Sequence, residues 1–312
     1  MVPDPATRPP HGVVPPLVTP LDEHGEVDRA SLERLVSFQL DAGVDGVFVG
    51  GSSGEIALLD TAQRRAAVEV VVRTVAGAVP VLAGTIDTGT RRVVEHARQA
   101  TELGADAVVV TAPFYVRPGA AEIVDHFRYV HAAVDVPVVA YDIPSATHVA
   151  LTPDIVAELA AEDLVVALKD SSGDLAAFRE ILRRTELPAL TGSELFADTA
   201  VQVGAAGIVP GLGNVDPHGY VRLHRAAREG DHATAAAEQD RLARLFRITT
   251  VADRSRVGFT AGALGAFKTA LAVRGVIAHP ATNLPLRPLD DDEARGIAAM
   301  LDEAGLGPVR AN

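Results

Sequence analysis

The stretch Leu164-Val165-Val166-Ala167-Leu168-Lys169-Asp170-Ser171-Ser172-Gly173-Asp174 opens as a continuous apolar run of strand length and ends on a lysine. Lysine occupies only two of the 312 positions, Lys169 and Lys268, and every other of the 28 basic residues is arginine. Arginine keeps its proton in a protein, whereas a desolvated lysine can become a neutral amine nucleophile. Lys169 at the end of a buried strand is therefore either such a nucleophile or the ion-pair partner of Asp170 or another nearby carboxylate. The local sequence leaves both readings open.

On either side of this stretch, short β-rich runs alternate with longer helical stretches from Gly12 to about Gly230. Runs at 13–19, 46–51, 80–85, 107–112, 137–141, 164–169, 189–191 and 208–210 read as strands, and segments such as 31–42 and 90–103 carry apolar residues at helical spacing. Thr152-Pro153 reads as an N-cap followed by proline at the first helical position. A faint repeat, Gly43-Val44-Asp45-Gly46, Gly104-Ala105-Asp106-Ala107 and Gly204-Ala205-Ala206-Gly207, closes three helices with glycine and leads each into a strand. Strict alternation implies parallel strands joined by crossover helices, and eight such units in about 220 residues match an α/β fold, the (β/α)₈ TIM barrel. An open doubly wound sheet is the alternative, but no G-x-G-x-x-G follows the first strand.

After Gly230 the pattern is helical only, with helices expected at 231–250, 258–274 and 291–304 and a Pro-rich connection at 279–288. The expected organisation is a flexible arm at 1–11, the barrel at 12–230 and a C-terminal helical region at 231–312 that packs on the barrel or a neighbouring subunit. A hydrophobic content of 48% allows a large core, and a net charge of −13 with no basic run argues against nucleic acid and anionic membrane as partners. There is no cysteine, which excludes disulfides and thiolate metal sites. The ten histidines show no metal-ligand spacing, and His126 and His131, five apart on a helix, do not share a face. No metal or other cofactor is expected. No apolar run approaches the roughly 18–20 residues of a membrane span, and the polar, Pro-rich N-terminus does not read as a signal peptide, so a cytoplasmic protein is expected.

Active-site groups of such barrels sit at the C-terminal ends of the strands. Strand two ends in Gly50-Gly51-Ser52-Ser53-Gly54-Glu55, a glycine-flanked hydroxyl pair that offers N–H and O–H groups to a carboxylate, or else an ordinary turn with an N-cap. Strand four ends in Ala112-Pro113-Phe114-Tyr115 and strand five in Tyr141-Asp142-Ile143-Pro144, so two of the four tyrosines lie at strand ends. A phenol there moves protons beside an imine, or simply packs at the barrel mouth. With Lys169, this set suits Schiff-base chemistry, in which the amine condenses with a 2-oxo acid and the resulting enamine attacks an aldehyde.

The motifs Gly51-Ser52-Ser53-Gly54-Glu55, Tyr141-Asp142-Ile143-Pro144, A-L-K-D-S-S-G-D at 167–174 and G-I-V-P-G-L-G-N at 207–214 resemble the dihydrodipicolinate synthase/N-acetylneuraminate lyase family of pyruvate-type class I aldolases. The resemblance spans nearly the whole chain from Gly12. It implies a TIM barrel with a C-terminal helical extension, a homotetramer built as a dimer of dimers, and small-molecule 2-oxo acid and aldehyde substrates. It makes Lys169 the Schiff-base lysine, Tyr141 the proton-transfer phenol, and Ser52 a member of a relay with Tyr141 and with Tyr115 from a neighbouring subunit. Ser53 and the backbone at 52–53 would bind the 2-oxo acid carboxylate, Val209 would line the same pocket, and Lys268 would be structural.

Two departures bear on the substrate. Dihydrodipicolinate synthases place an arginine for the carboxylate of aspartate semialdehyde where this chain has Ala146, and alanine cannot pair with a carboxylate. At the positions of the lysine feedback site, Ile56, Thr61, Arg64, Thr88 and Arg92 do not keep its polar pattern, so no lysine inhibition is expected. The 167–174 stretch and the small residue at 146 resemble the sialic acid lyase branch, in which Thr191-Gly192-Ser193-Glu194 falls where sugar hydroxyls bind, one residue shorter here. The expected activity is that of a lyase acting on a 2-oxo acid and a polar aldehyde, like N-acetylneuraminate lyase or a 2-keto-3-deoxy sugar acid aldolase. Ser171, Glu194, Asp142 and His148 are its candidate contacts. The alternatives are a 4-hydroxy-tetrahydrodipicolinate synthase, a sugar-acid dehydratase, or a barrel that only binds a 2-oxo acid.

Overall fold

The computed structural model describes residues 9–309. Eight parallel strands alternate with helices: β1 (Gly12–Val13), α1 (Arg29–Asp41), β2 (Val47–Val49), α2 (Thr61–Val75), β3 (Val81–Gly84), α3 (Thr90–Glu102), β4 (Ala107–Thr111), α4 (Ala120–His131) and β5 (Val138–Asp142). They continue through α5 (Pro144–Thr147), α6 (Pro153–Ala161), β6 (Ala167–Asp170), α7 (Leu175–Arg184), β7 (Ala189–Thr191), α8 (Ala197–Gln202), β8 (Gly207–Ile208) and α9 (Pro217–Glu229). The last helices are α10 (His232–Phe246), α11 (Phe259–Val273) and α12 (Asp291–Glu303).

The ladder runs β1-β8-β7-β6-β5-β4-β3-β2. Its two ends meet through a parallel bridge between Pro16 and Phe48, with Leu17 N donating to Phe48 O at 2.8 Å and Phe48 N to Pro15 O at 3.0 Å. This is an α/β, TIM-like arrangement. The expected first strand at 13–19 shrinks to two residues because Pro15, Pro16 and Pro20 have no N–H to give a ladder. Likewise β8 stops at Ile208, two residues before Pro210, where the reading from sequence ran on to 210. The apolar run at 164–169 pairs only from Ala167, its first residues packing beneath the strand as buried loop. Of the expected arm at 1–11, residues 1–8 lie outside the described residues, and Pro10 is already buried.

Side chains alternate between two layers, as a period of two dictates. Val14, Phe48, Leu82, Val109, Val139, Tyr141, Ala167, Leu190 and Val209 fill the interior. Val47, Val49, Val108, Val110, Ala140, Leu168 and Ile208 pack outward against the helices. The acidic excess has local work at the helix starts. Asp28 accepts from Ser31 N, Asp174 from Ala176 N and Ala177 N, Asp216 from Gly219 N, and Asp60 and Asp290 each form a capping box. Thr152 caps α6 with Pro153 behind it, and Gly43, Gly104 and Gly204 sit at φ of +78°, +90° and +111° after α1, α3 and α8. No helix of the described residues is long and apolar enough to cross a membrane.

Candidate active site

Period-two alternation turns Lys169 inward, and it is 6% exposed. Its Nζ lies 4.0 Å from the centroid of the Tyr141 ring and 4.8 Å from that of Phe48. Among the described residues no carboxylate lies within ion-pair distance of it. Asp170 points to the opposite layer, where its Oδ1 accepts from Ser172 N at 2.7 Å. The ion-pair reading of Lys169 therefore fails. Beneath the amine, Val14, Phe48, Leu82, Val109, Val139, Leu190 and Val209 enclose a void of about 10 Å³. A group condensing with the amine must sit above it, at the strand ends.

Tyr141 pairs in register with Lys169 on one side and Thr111 on the other, and its ring meets Phe48 edge-on at 6.2 Å and 84°. Its hydroxyl is 3.4 Å from Ser52 Oγ. The segment after β2 does not enter a helix directly, as its sequence suggested; it runs through successive turns to α2 at Thr61. Gly54 N donates to Gly51 O and Ile56 N to Gly51 O, while among the described residues the N–H groups of Ser52 and Ser53 have no acceptor. Those two N–H groups lie with the Ser53 hydroxyl on one turn, a candidate cradle for an anion. A buried ion pair holds the turn from behind. Glu55, in the left-handed region at φ +59°, has its carboxylate against Lys268 of α11 and accepts from Asn283 N at 2.6 Å. Lys268 Nζ also donates to Ala281 O at 2.7 Å.

Glu194 approaches the cradle from the opposite side. Its Oε1 accepts from Leu212 N. A methyl group on Gly211 would come 3.1 Å from the Phe267 ring, 3.3 Å from Ser53 Oγ and 3.4 Å from Glu194 Oε1, so these groups close around the same spot. Burial pushes the Glu194 carboxyl up to about 7, although the N–H groups of Leu212 and Gly211 and the charge of Lys169 pull it down.

Three sequence candidates, Asp142, His148 and Tyr115, lie away from Lys169. Asp142 faces outward with Asp170, and its Oδ1 accepts from Leu151 N at 2.9 Å, tying down the chain after α5. Ser171 packs against Gly192, whose added Cβ would strike its Oγ at 2.1 Å. His148 is exposed at the left-handed end of α5. Tyr115 is 94% exposed at φ +73°, so a single chain does not bring it to Lys169. The reading from sequence missed Thr111 and the structural part of Glu55. The alternation of β4 and the lysine at 268 were the available signals for them.

Burial, with Asp170 nearby, pushes the Asp142 carboxyl up to about 6 even though Leu151 N favours its charged form. The folded state thus holds this proton more tightly than the unfolded state, where the value is near 3.8. Stability is fully present below about pH 4 and falls as pH rises through 6. Asp142→Asn keeps an oxygen for Leu151 and is expected to be more stable than the native chain at pH 7.5, by as much as about 3 kcal/mol, with the gain vanishing at pH 4. Urea unfolding at the two pH values checks this, and an equal difference at both would refute it.

The chain matches the model of the dihydrodipicolinate synthetase family over residues 9–304. It is 39% identical over 297 residues to an uncharacterized DapA-like lyase of Halobacterium salinarum, covering 95% of this chain and 94% of that one. It is 33% identical to the 4-hydroxy-tetrahydrodipicolinate synthase of Pelobacter propionicus, covering 95% and 99%. Among solved structures, YagE, a prophage protein of E. coli K12 crystallised with pyruvate, superposes with a TM-score of 0.88 at 28% identity, covering 95% of this chain and 99% of that one. Alternating βα units, the strand-end lysine and this full-length match agree that the chain belongs to the dihydrodipicolinate synthetase family and is a lyase of the class I aldolase type.

Proposed function

We propose that the chain joins pyruvate or a related 2-oxo acid to an aldehyde through a Schiff base on Lys169. The observation that carries this reading is a buried amine without a carboxylate partner, packed on Tyr141, whose hydroxyl neighbours Ser52 beside two open N–H groups. The substrate carboxylate lies against the N–H groups of Ser52 and Ser53 and the Ser53 hydroxyl. The Lys169 amine adds to the ketone carbon and the oxygen leaves as water with a proton from Tyr141, giving a cationic imine; the Tyr141 oxygen then takes a proton from the adjacent methyl, giving the enamine. The enamine carbon bonds to the aldehyde carbon, and the aldehyde oxygen takes a proton from Tyr141. Water then hydrolyses the imine, releasing a 4-hydroxy-2-oxo acid and restoring the amine. Val209 walls the pocket behind the imine. Ser52 passes protons to Tyr141, and Tyr115, exposed here, completes the relay from a second copy in a homotetramer.

This reading takes 12–230 as a closed (β/α)₈ barrel and 231–312 as a helical extension whose Lys268 braces the cradle. The sequence left bond formation and cleavage both open; bond formation stands ahead, and the synthase alternative ahead of the N-acetylneuraminate lyase-like or 2-keto-3-deoxy sugar acid aldolase-like reading, because the named relatives include 4-hydroxy-tetrahydrodipicolinate synthases. Incubation with pyruvate and borohydride is expected to add a reduced pyruvyl mass to the peptide carrying Lys169. An unmodified Lys169 would remove the Schiff-base mechanism.

Glu194 gives the site a pH dependence. Below about pH 7 its carboxyl is neutral; above it, a negative charge stands beside the carboxylate cradle. The pyruvate concentration that half-saturates trapping is expected to rise several-fold from pH 6 to pH 8, on the order of 1 kcal/mol of repulsion. Glu194→Gln should flatten that rise, and an unchanged slope in the variant would clear Glu194 of the effect.

A further inference from the structure

A chamber of about 400 Å³ opens beside Ser52 and Thr111, on the side of Tyr141 away from the cradle. That volume lies within the roughly 300–1,000 Å³ of small-molecule sites. Its walls come from the loop after β2, the ends of β3, β4 and β5, α11 and the 279–288 connection. Ile56, Ile86, Phe114, Ile143, Leu264 and Leu286 supply most of the surface. Among the described residues no arginine, lysine or histidine lines it, and Glu55, the one charged lining residue among them, has its carboxylate occupied by Lys268 and Asn283 N. Ala146, exposed toward the chamber, adds only a methyl.

We propose that this chamber holds the carbon chain of the aldehyde acceptor, and that the acceptor is apolar rather than polyhydroxylated or anionic. The proposal rests on the Schiff-base reading, since the enamine is what the aldehyde must meet. Ser52 links the two regions: it lines the chamber, and its Oγ lies 3.4 Å from the Tyr141 hydroxyl, the group placed to protonate the new alkoxide. A second carboxylate would find no cation there, inside a chain of net charge −13. Sugar hydroxyls would exchange their hydrogen bonds to water for the few that Ser52, Thr111, Thr147 and Thr260 offer among otherwise apolar walls. An alkyl or aryl group would instead displace water from apolar surface.

The test uses the full-length chain with pyruvate saturating, and measures kcat/KM for acetaldehyde, n-butanal, n-hexanal, benzaldehyde, D-glyceraldehyde and L-aspartate semialdehyde. Each added methylene is expected to raise kcat/KM about fourfold, the equivalent of ~0.8 kcal/mol. Benzaldehyde should exceed D-glyceraldehyde at least tenfold. Leu286→Ser, at the chamber rim, is expected to flatten the chain-length series while leaving half-saturation by pyruvate in borohydride trapping unchanged. A preference for D-glyceraldehyde or L-aspartate semialdehyde, a flat series, or an unchanged slope in Leu286→Ser would overturn the assignment. A flat series together with a loss of oligomeric mass in Leu286→Ser would show that a second copy covers the chamber, and would overturn it too. If pyruvate forms no adduct, the Schiff-base reading itself fails; an adduct with the wrong aldehyde order defeats the chamber assignment alone.

Discussion

Lys169→Met is expected to lose turnover by at least about 10³-fold and to lose the borohydride adduct, while unfolding at a higher temperature than the native chain. The two halves of that result separate a chemical amine from a structural one. Lys169 is 6% exposed, and Asp170, the obvious partner, has turned to the other face of β6 to accept from Ser172. Contacts with the rings of Tyr141 and Phe48 contribute about 0.5–2 kcal/mol to a cation, less than the several kcal/mol that burying an ammonium costs. Methionine fills a similar volume without that burden. A lysine in a buried ion pair would behave oppositely, its removal destabilising the fold by about 3–5 kcal/mol. Lys169→Arg makes the companion test, because it keeps a charge that cannot become a nucleophile. Steady-state rates, peptide mass and calorimetry read the three quantities. Activity within tenfold of native in Lys169→Met would sink the mechanism.

Lys268→Met is expected to lower folding stability by about 3–5 kcal/mol, the largest loss from any single substitution discussed for this chain. Lys268 is 0% exposed and Glu55 3%, and removing the ammonium strands a buried carboxylate whose other bond is to Asn283 N. Glu55 also sits in a left-handed conformation that costs a side chain roughly 1–2 kcal/mol, so the turn bearing Ser52 and Ser53 has reason to relax once the clamp is gone. Replacing both partners, Lys268→Met with Glu55→Gln, removes both charges and is expected to recover part of the loss. Urea titrations of the four proteins in the cycle give the coupling, and a coupling below about 0.5 kcal/mol would mean that the pair is not what holds the turn.

Much of the architecture could be read in advance because local signals were unambiguous. The ends of β7 and the glycines after α1, α3 and α8 fall where apolar runs and turn chemistry placed them. The first strand was over-read because apolar residues around Pro15 and Pro16 mimic a strand that cannot donate hydrogen bonds. Lys169, Tyr141 and Ser52 lie together at the strand ends and Ser53 near Glu194, whereas Val209 lines the void beneath the amine. Asp142 does not join them, and parity alone could have said so: if Tyr141 and Lys169 point in, Asp142 and Asp170 point out. The attachment of Glu194 to Leu212 depends on a turn eighteen residues further on, which no local pattern encodes. The apolar chamber was hidden for the same reason. Its walls come from segments that only the closed fold assembles, and Ala146 marked it only as a missing charge.

The buried pair between Glu55 and Lys268 also sets an order of events during synthesis. Its two members are 213 positions apart, so the turn bearing Ser52 and Ser53 is made well before the residue that anchors it. Contacts of such long sequence separation form late, after the loop between them has closed. A nascent chain that has produced all eight strands but not α11 can pair its sheet while Glu55 still lacks its counter-charge. The turn bearing Ser52 and Ser53 is therefore braced only once α11 has docked.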